Sequence, residues 1–197
     1  MPTKRAVPTE RTRLPPTMPN YRRSYDGNTW FFTLVTGQRR AILYDDRLRP
    51  LLRQTLRTAK ERWPFRIDAR VLLPDHLHCI WTLPEGDADF SKRWGWIKKE
   101  FGKQARSVVG TAHPTGSRQQ KRETGIWQRR FWEHRIRSEA DYAAHCDYIH
   151  FNPVKHGLVA TPSQWPYSTF HRCVEQGSYP MNWGESEPNI PKAAGNE

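Results

Sequence analysis

The stretch "FRIDARVLLPDHLHCIWTL" (65–83) holds two alternating runs on either side of a Pro-Asp turn. In the first, Ile67, Ala69, Val71 and Leu73 share one face and Arg66, Asp68 and Arg70 the other, as in a half-buried strand. Pro74 and Asp75 break the run, and a second strand follows. There Leu77, Cys79, Trp81 and Leu83 share one face, while His76, His78, Ile80 and Thr82 share the opposite face. The stretch is a β-hairpin that carries two imidazoles side by side, roughly 6.5 Å apart at Cα. Spacing alone admits two explanations for them: polar residues on a hydrogen-bonded face, or two ligands of one cation.

Outward from the hairpin, "TWFFTLVT" (29–36) has the β-branched and aromatic content of a strand. Leu48, Leu51, Leu52, Leu56, Ala59 and Trp63 recur at helical spacing, with Asp45 and Asp46 placed to cap the start and Pro64 to stop it. Phe90, Trp94, Ile97, Phe101 and Ala105 mark a second amphipathic helix. "IWQRRFWEHRI" (126–136) is a candidate fourth strand. A third helix begins at Ser138, with Asp141 as capping-box partner, and closes at Pro153 and Gly157. The order strand, helix, strand, strand, helix, strand, helix predicts an α+β, ferredoxin-like fold: an antiparallel sheet with helices packed on one face.

One domain over 20–172 accounts for these elements. Residues 1–19 form a basic, proline-rich arm expected to be disordered, and 173–197 an extension ending in the tail "ESEPNIPKAAGNE". The net charge of +12 favours polyanions, with nucleic acid and an anionic membrane surface the first candidates. No apolar run approaches a membrane span and no signal peptide is visible, so the expected setting is intracellular and away from membranes. The three cysteines, Cys79, Cys146 and Cys173, are far apart and form no CxxC pair, which argues against a disulfide framework or a cysteine-based zinc site.

The third helix brings chemistry to the histidine pair. Asp141, His145, Tyr148 and Asn152 are spaced four, three and four, so they line one helical face. Tyr148 and Asn152, one turn apart, can point together at a metal on the sheet, and a phenolic oxygen beside a metal can attack phosphorus. Tyr148 also reads as an amphipathic tyrosine packed at a helix edge. Asn152 also reads as a helix C-cap, since Pro153 disfavours helical geometry at the residue before it.

The segments "PDHLHCIWTLPEGDADFSKRW", "FWEHRIRSEADY", "DYIHFNPVKHGLV" and "WPYSTFHR" resemble the REP-associated tyrosine transposases, bacterial members of the HUH single-tyrosine (IS200-like) transposase superfamily. The likeness runs from about Tyr21 to Trp183. It departs at the 1–17 arm, which precedes Met18, and at the basic loop around 110–125. The resemblance implies metal-dependent cleavage and rejoining of single-stranded DNA at REP palindrome hairpins through a 5′-phosphotyrosine. By the same resemblance the HUH motif falls on His76 and His78, the nucleophile on Tyr148 and the third metal ligand on Asn152. Mg2+ is the ion it implies, with Mn2+ the alternative because imidazole suits magnesium poorly. It further implies a monomer or homodimer in the bacterial cytoplasm, associated with the nucleoid. A non-catalytic binder of palindromic repeat DNA or RNA on the same scaffold is the rival reading, and a histidine-only structural zinc site a third.

Candidate DNA contacts are Arg22, Arg23, Arg39 and Arg40 near the first strand, where Trp30 and Phe31 add stacking surfaces. Arg129, Arg130, Lys155, His156 and Arg172 are further candidates for phosphates. Each also reads as ordinary surface charge over core aromatics. His150 and His156 flank the nucleophile position.

Overall fold

The computed structural model describes residues 28–109, 125–191 and 194. The arm, with Arg22 and Arg23, and most of the 110–125 loop lie outside these residues. Four strands, β1 (Thr29–Val35), β2 (Arg66–Leu72), β3 (His76–Thr82) and β4 (Trp132–Arg135), form one antiparallel sheet in the order β2-β3-β1-β4. The principal helices are α1 (Leu48–Arg62), α2 (Phe90–Val109) and α3 (Glu139–Lys155), and a short α4 (Phe170–Glu175) follows. Element order and topology are those of a ferredoxin-like α+β fold. Among the described residues no helix is long and apolar enough to cross a membrane.

The helices cover both faces, not one as the sequence suggested. Phe32, Leu34, Leu77, Cys79 and Trp81 meet Leu48, Leu52 and Leu56 of α1 and Trp94, Ile97 and Phe101 of α2. Trp81 and Trp94 stack at 3.9 Å in this layer. The opposite face, with Phe31, Ala69, Val71 and Ile80, packs against Cys146, Tyr148 and Ile149 of α3. Strand alternation makes this possible, because successive residues such as Phe31 and Phe32 enter different layers. Each large apolar side chain so buried stabilises the fold by about 1.5–3 kcal/mol.

The alternation of β2 breaks at a bulge between Ile67 and Ala69, so Ile67 joins the α1–α2 layer and not the face of Ala69 and Val71. Asp68, at the bulge, is buried and accepts hydrogen bonds from Arg66 Nε and Thr82 Oγ1, both at 2.6 Å. Arg172 donates to the carbonyls of Ile67 and Asp68. Bulges leave ladder groups unpaired, and here a guanidinium takes up the exposed acceptors.

Three further expectations change. The Asp45 and Asp46 side chains do not cap α1. The Asp45 carboxylate instead accepts from the Arg47 backbone N–H and guanidinium, and Asp46 pairs with Arg49. The fourth strand is confined to Trp132–Arg135, with Trp127 making only an isolated bridge to Thr36. Pro153 does not close α3. The helix runs on to Lys155 and ends at Gly157 (φ +65°), where Gly157 N–H bonds Val154 O and Leu158 N–H bonds Pro153 O. That pair of bonds is the glycine C-terminal motif. Beyond Arg172 the chain packs back on α3: Tyr179 is buried and its hydroxyl donates to Asp147 at 2.6 Å. Ile190 and Ala194 reach the α3 layer, so this segment is not a detached tail.

Candidate active site

The β1–β3 ladder places His76 opposite Val35 and His78 opposite Thr33. Both imidazoles are buried on the α3 face, with ring centroids 4.8 Å apart. Nδ1 of His76 lies 2.6 Å from Asp75 Oδ1, and Nδ1 of His78 lies 2.9 Å from Thr33 Oγ1. The Asp75 carboxylate can only accept, so Nδ1 of His76 donates and Nε2 carries the ligand lone pair. When Thr33 Oγ1 accepts from Nδ1 of His78, that ring takes the same tautomer, the one metal-binding histidines adopt. Partial burial works to raise the Asp75 carboxyl, yet the His76 ring and the Arg39 guanidinium together hold it below the ordinary carboxylate range. Asp75 therefore stays ionised to orient His76.

From α3, Tyr148 turns its buried ring toward His78, centroid to centroid 5.2 Å. Lys155, two turns further along, places its ammonium 3.5 Å from the Tyr148 hydroxyl. Asn152 lies one turn beyond the tyrosine, fully buried. Neither amide atom of its side chain has a hydrogen-bond partner among the described residues. The C-cap role is filled by His156, whose backbone N–H bonds the Asn152 carbonyl at 3.0 Å. An unsatisfied buried amide is costly, so one aimed at a ligand is the economical explanation. Two imidazoles and an amide oxygen fit a divalent cation, and the fit rests on that orphaned amide.

Asp75, Thr33 and His156 were not singled out as parts of this centre by sequence reasoning. The first two had a signal: Asp75 directly precedes His76, and Thr33 sits on the inward-facing parity of β1. His156 follows Asn152 by four residues and brings its ring to 5.1 Å from that of His76. His150 is structural. Its Nε2 lies 3.0 Å from Thr169 Oγ1, and burial, with Arg172 adding to it, pushes its pKa down to about 3. Cys79 and Cys146 are buried, and desolvation pushes both thiols up, which leaves them inert.

Beside the centre, His134, Asp141 and His145 offer ligand atoms within 4.8 Å of one another. His134 Nε2 lies 2.9 Å from Asp141, and His145 Nδ1 lies 2.8 Å from the Asp141 carbonyl. The two rings stack at 14° with centroids 4.7 Å apart, so one ion cannot lie close to both ring planes, where the imidazole lone pairs point. The trio clamps β4 to α3, and Phe31 links it to His78 and Tyr148 through ring contacts of 4.8 to 6.1 Å. Phe31 is therefore core, not an exposed stacking surface.

The expected DNA contacts scatter. Arg39 is half exposed and pairs with Asp75 at 3.3 Å. Arg40 donates to the backbone carbonyls of Gly37 and Gly125, and Arg172 to those of the bulge. Arg129 and Arg130 are exposed just ahead of β4, and Lys155 reaches the tyrosine hydroxyl.

No family model matches the chain. The chain is 48% identical over 167 residues to the REP-associated tyrosine transposase of Escherichia coli, covering 84% of this chain and 91% of the relative. A relative from Haemophilus influenzae assigned to the same family is 42% identical over 85% of this chain and 94% of its own. Among solved structures, a REP-associated tyrosine transposase bound to a REP hairpin superposes with a TM-score of 0.67 at 45% identity, covering 88% of this chain and 96% of that one. By extent and identity of match, with the histidine pair and the α3 tyrosine in one buried centre, this chain belongs to the REP-associated tyrosine transposases.

Proposed function

We propose that the protein cleaves and rejoins single-stranded DNA at REP-type hairpins, with Tyr148 as nucleophile. The observation that carries this reading is the approach of Tyr148 to His78, with Asn152 unsatisfied one helical turn on. Bound to His76, His78 and Asn152, a divalent cation would supply Lewis-acid polarisation of the scissile phosphate. The two imidazoles favour Mn2+ on coordination grounds, and Mg2+ is the ion family likeness suggests.

Tyr148 attacks phosphorus, a bond forms between its oxygen and the phosphate, and the bond to the upstream 3′ oxygen breaks. The downstream strand stays on the protein as a 5′-phosphotyrosine, and the upstream strand leaves with a 3′-hydroxyl. The ester retains the energy of the broken bond, so the reverse attack rejoins strands without ATP. Lys155 is placed to neutralise charge as the phenol gives up its proton. Arg39, Arg129 and Arg130 are suited to phosphate contacts, and Arg22 and Arg23 extend the same basic character. The relative solved with a REP hairpin supports that DNA as the partner.

The test mixes protein, divalent metal and a REP-like hairpin oligonucleotide with single-stranded flanks, labelled on either side of the cut. A denaturation-resistant adduct carrying only the downstream label is expected, and Tyr148→Phe should abolish it while DNA affinity survives. An adduct persisting in that variant would move the nucleophile elsewhere, with Tyr142 the first suspect. No adduct from wild type on DNA that it binds would favour the non-catalytic reading.

A further inference from the structure

Leu77, between the two histidines, turns away from them and lines a pocket on the α1 side of the sheet. Three arginines line that pocket, Arg49 and Arg53 from α1 and Arg70 from β2, with Tyr167 closing one side. Among the described residues no carboxylate lines it. Arg49 pairs with Asp46 outside the pocket. Among the described residues neither Arg53 nor Arg70 has an ion-pair partner, and Arg70 Nε is buried without a hydrogen bond. Desolvation, with Arg53 and Arg172 nearby, already weighs against the charged form of Arg70. A half-buried guanidinium held in this way is costly to the fold unless an anion completes it.

The surroundings indicate which anion. The Arg49 guanidinium lies 4.3 Å from the centroid of the Tyr167 ring, and Tyr44 stands edge-on to Tyr167 at 6.5 Å. Tyr44 is 56% exposed, an open aromatic face beside a cationic pocket, the pairing used to hold a base and its phosphate in single-stranded nucleic acid. The surface leads to the catalytic face around the β2–β3 turn. Leu43 N–H bonds the Pro74 carbonyl at 2.9 Å, and Arg39 holds Asp75, the partner of His76. A strand leaving the metal site past Asp75 meets Arg39, then Tyr44, then the pocket.

We propose that Arg49, Arg53 and Arg70 form a phosphate-binding pocket that seats a phosphodiester of the single-stranded DNA flanking the hairpin, with an adjacent base stacked on Tyr44. The identity of the polyanion rests on the function proposed above, whereas the pocket itself does not. It anchors the flank behind the sheet, on the face opposite the catalytic tyrosine.

The test measures binding of the full-length protein, without metal, to a REP-like hairpin carrying single-stranded flanks and to the same hairpin without them, across a salt series. The double variant Arg53→Gln/Arg70→Gln should weaken the flanked hairpin about tenfold and make its log–log salt slope shallower by about 1.4, at about 0.7 per lost contact. The unflanked hairpin should bind as before. Tyr44→Ala should weaken only the flanked DNA, about tenfold, with the slope kept. Arg70→Leu should hold or raise the melting temperature while lowering flanked-DNA affinity, which separates lost binding from lost fold. Unchanged affinity and slope in the double variant, or equal losses on both DNAs, would overturn the proposal. So would inorganic phosphate raising the wild-type melting temperature while the double variant binds DNA normally, since the pocket would then serve a small free anion. Because no bond is broken in this assay, a protein that never forms a tyrosine adduct yet shows the slope change would keep the pocket and lose only the nuclease reading.

Discussion

Thr33 and His78 face each other across the β1–β3 ladder, and the threonine hydroxyl lies 2.9 Å from the imidazole Nδ1. One hydroxyl thus holds the ring orientation of a candidate ligand from the neighbouring strand, and as acceptor it is matched to the tautomer with the lone pair on Nε2. Thr33→Val keeps the β-branched shape and removes only the hydroxyl. Affinity for Mn2+, measured calorimetrically on the DNA-free protein, should fall about 10- to 100-fold, as loss of such supporting bonds does. Thr33→Ser should restore most of it. Equal affinity in Val and wild type would mean that the bond orients nothing the metal needs.

Asn152 separates a ligand from a packing residue. Its amide makes no hydrogen bond among the described residues, so Asn152→Ala removes no protein–protein bond. The metal-free melting temperature should change little. Wild type should gain stability as divalent metal is added, by about 2.7 kcal/mol at a hundredfold excess over Kd, and the variant should gain much less. A full metal response in Asn152→Ala would remove it from the ligand set.

Much of this was legible in the sequence because alternation is a strong signal. The period-2 pattern of 76–83 assigned each side chain of β3 to its correct layer, and the helical stripes of α1 and α2 proved to be their buried faces. Three features were not legible, each for a physical reason. The bulge at Asp68 hides because Ile67, Ala69 and Val71 alternate perfectly as text, while the buried Asp68–Thr82 bond that favours the extra residue is a tertiary contact. The passage of α3 through Pro153 overrides local preference, since packing of Tyr148, Ile149 and Asn152 against the sheet carries the helix past it. The arginine pocket joins α1, β2 and the 166–167 segment, which no local pattern connects.

Acid stability should report on His150. Buried in the fold with its pKa pushed down to about 3, it stays neutral where the unfolded chain would protonate it below about 6.5. Its contribution is fully present above pH 6.5 and is lost progressively as pH falls from there toward 3, because the unfolded state then binds the extra proton. At pH 5 the loss from this one residue is about 2 kcal/mol. His145, lowered chiefly by burial against the opposing pull of Asp141, acts in the same direction. The depressed carboxyls of Asp75 and Asp141 lose their contributions only at lower pH, so the window from 6.5 to 5 belongs to histidines. Denaturant unfolding across that window should show stability falling with pH, and His150→Gln should flatten the dependence. An unchanged slope would place the acid sensitivity elsewhere.

Lys155 offers the last test, because it joins chemistry to a residue that is otherwise ordinary surface charge. Its ammonium lies 3.5 Å from the Tyr148 hydroxyl and 4.8 Å above the ring centroid, reached from two turns along α3. Lys155→Met keeps an apolar stem over the ring and removes the charge. If the ammonium stabilises charge as the phenol becomes a nucleophile, adduct formation in a single turnover with saturating DNA and metal should slow about 10- to 100-fold. Binding of the hairpin should weaken only slightly, since one exposed cation among many is lost. Lys155→Arg retains the charge and should recover part of the rate. A Met variant with reduced affinity but a wild-type rate at saturation would reduce Lys155 to a phosphate contact. Loss of rate that Arg does not rescue, with the melting temperature lowered, would mean that the side chain only holds the tyrosine ring in place.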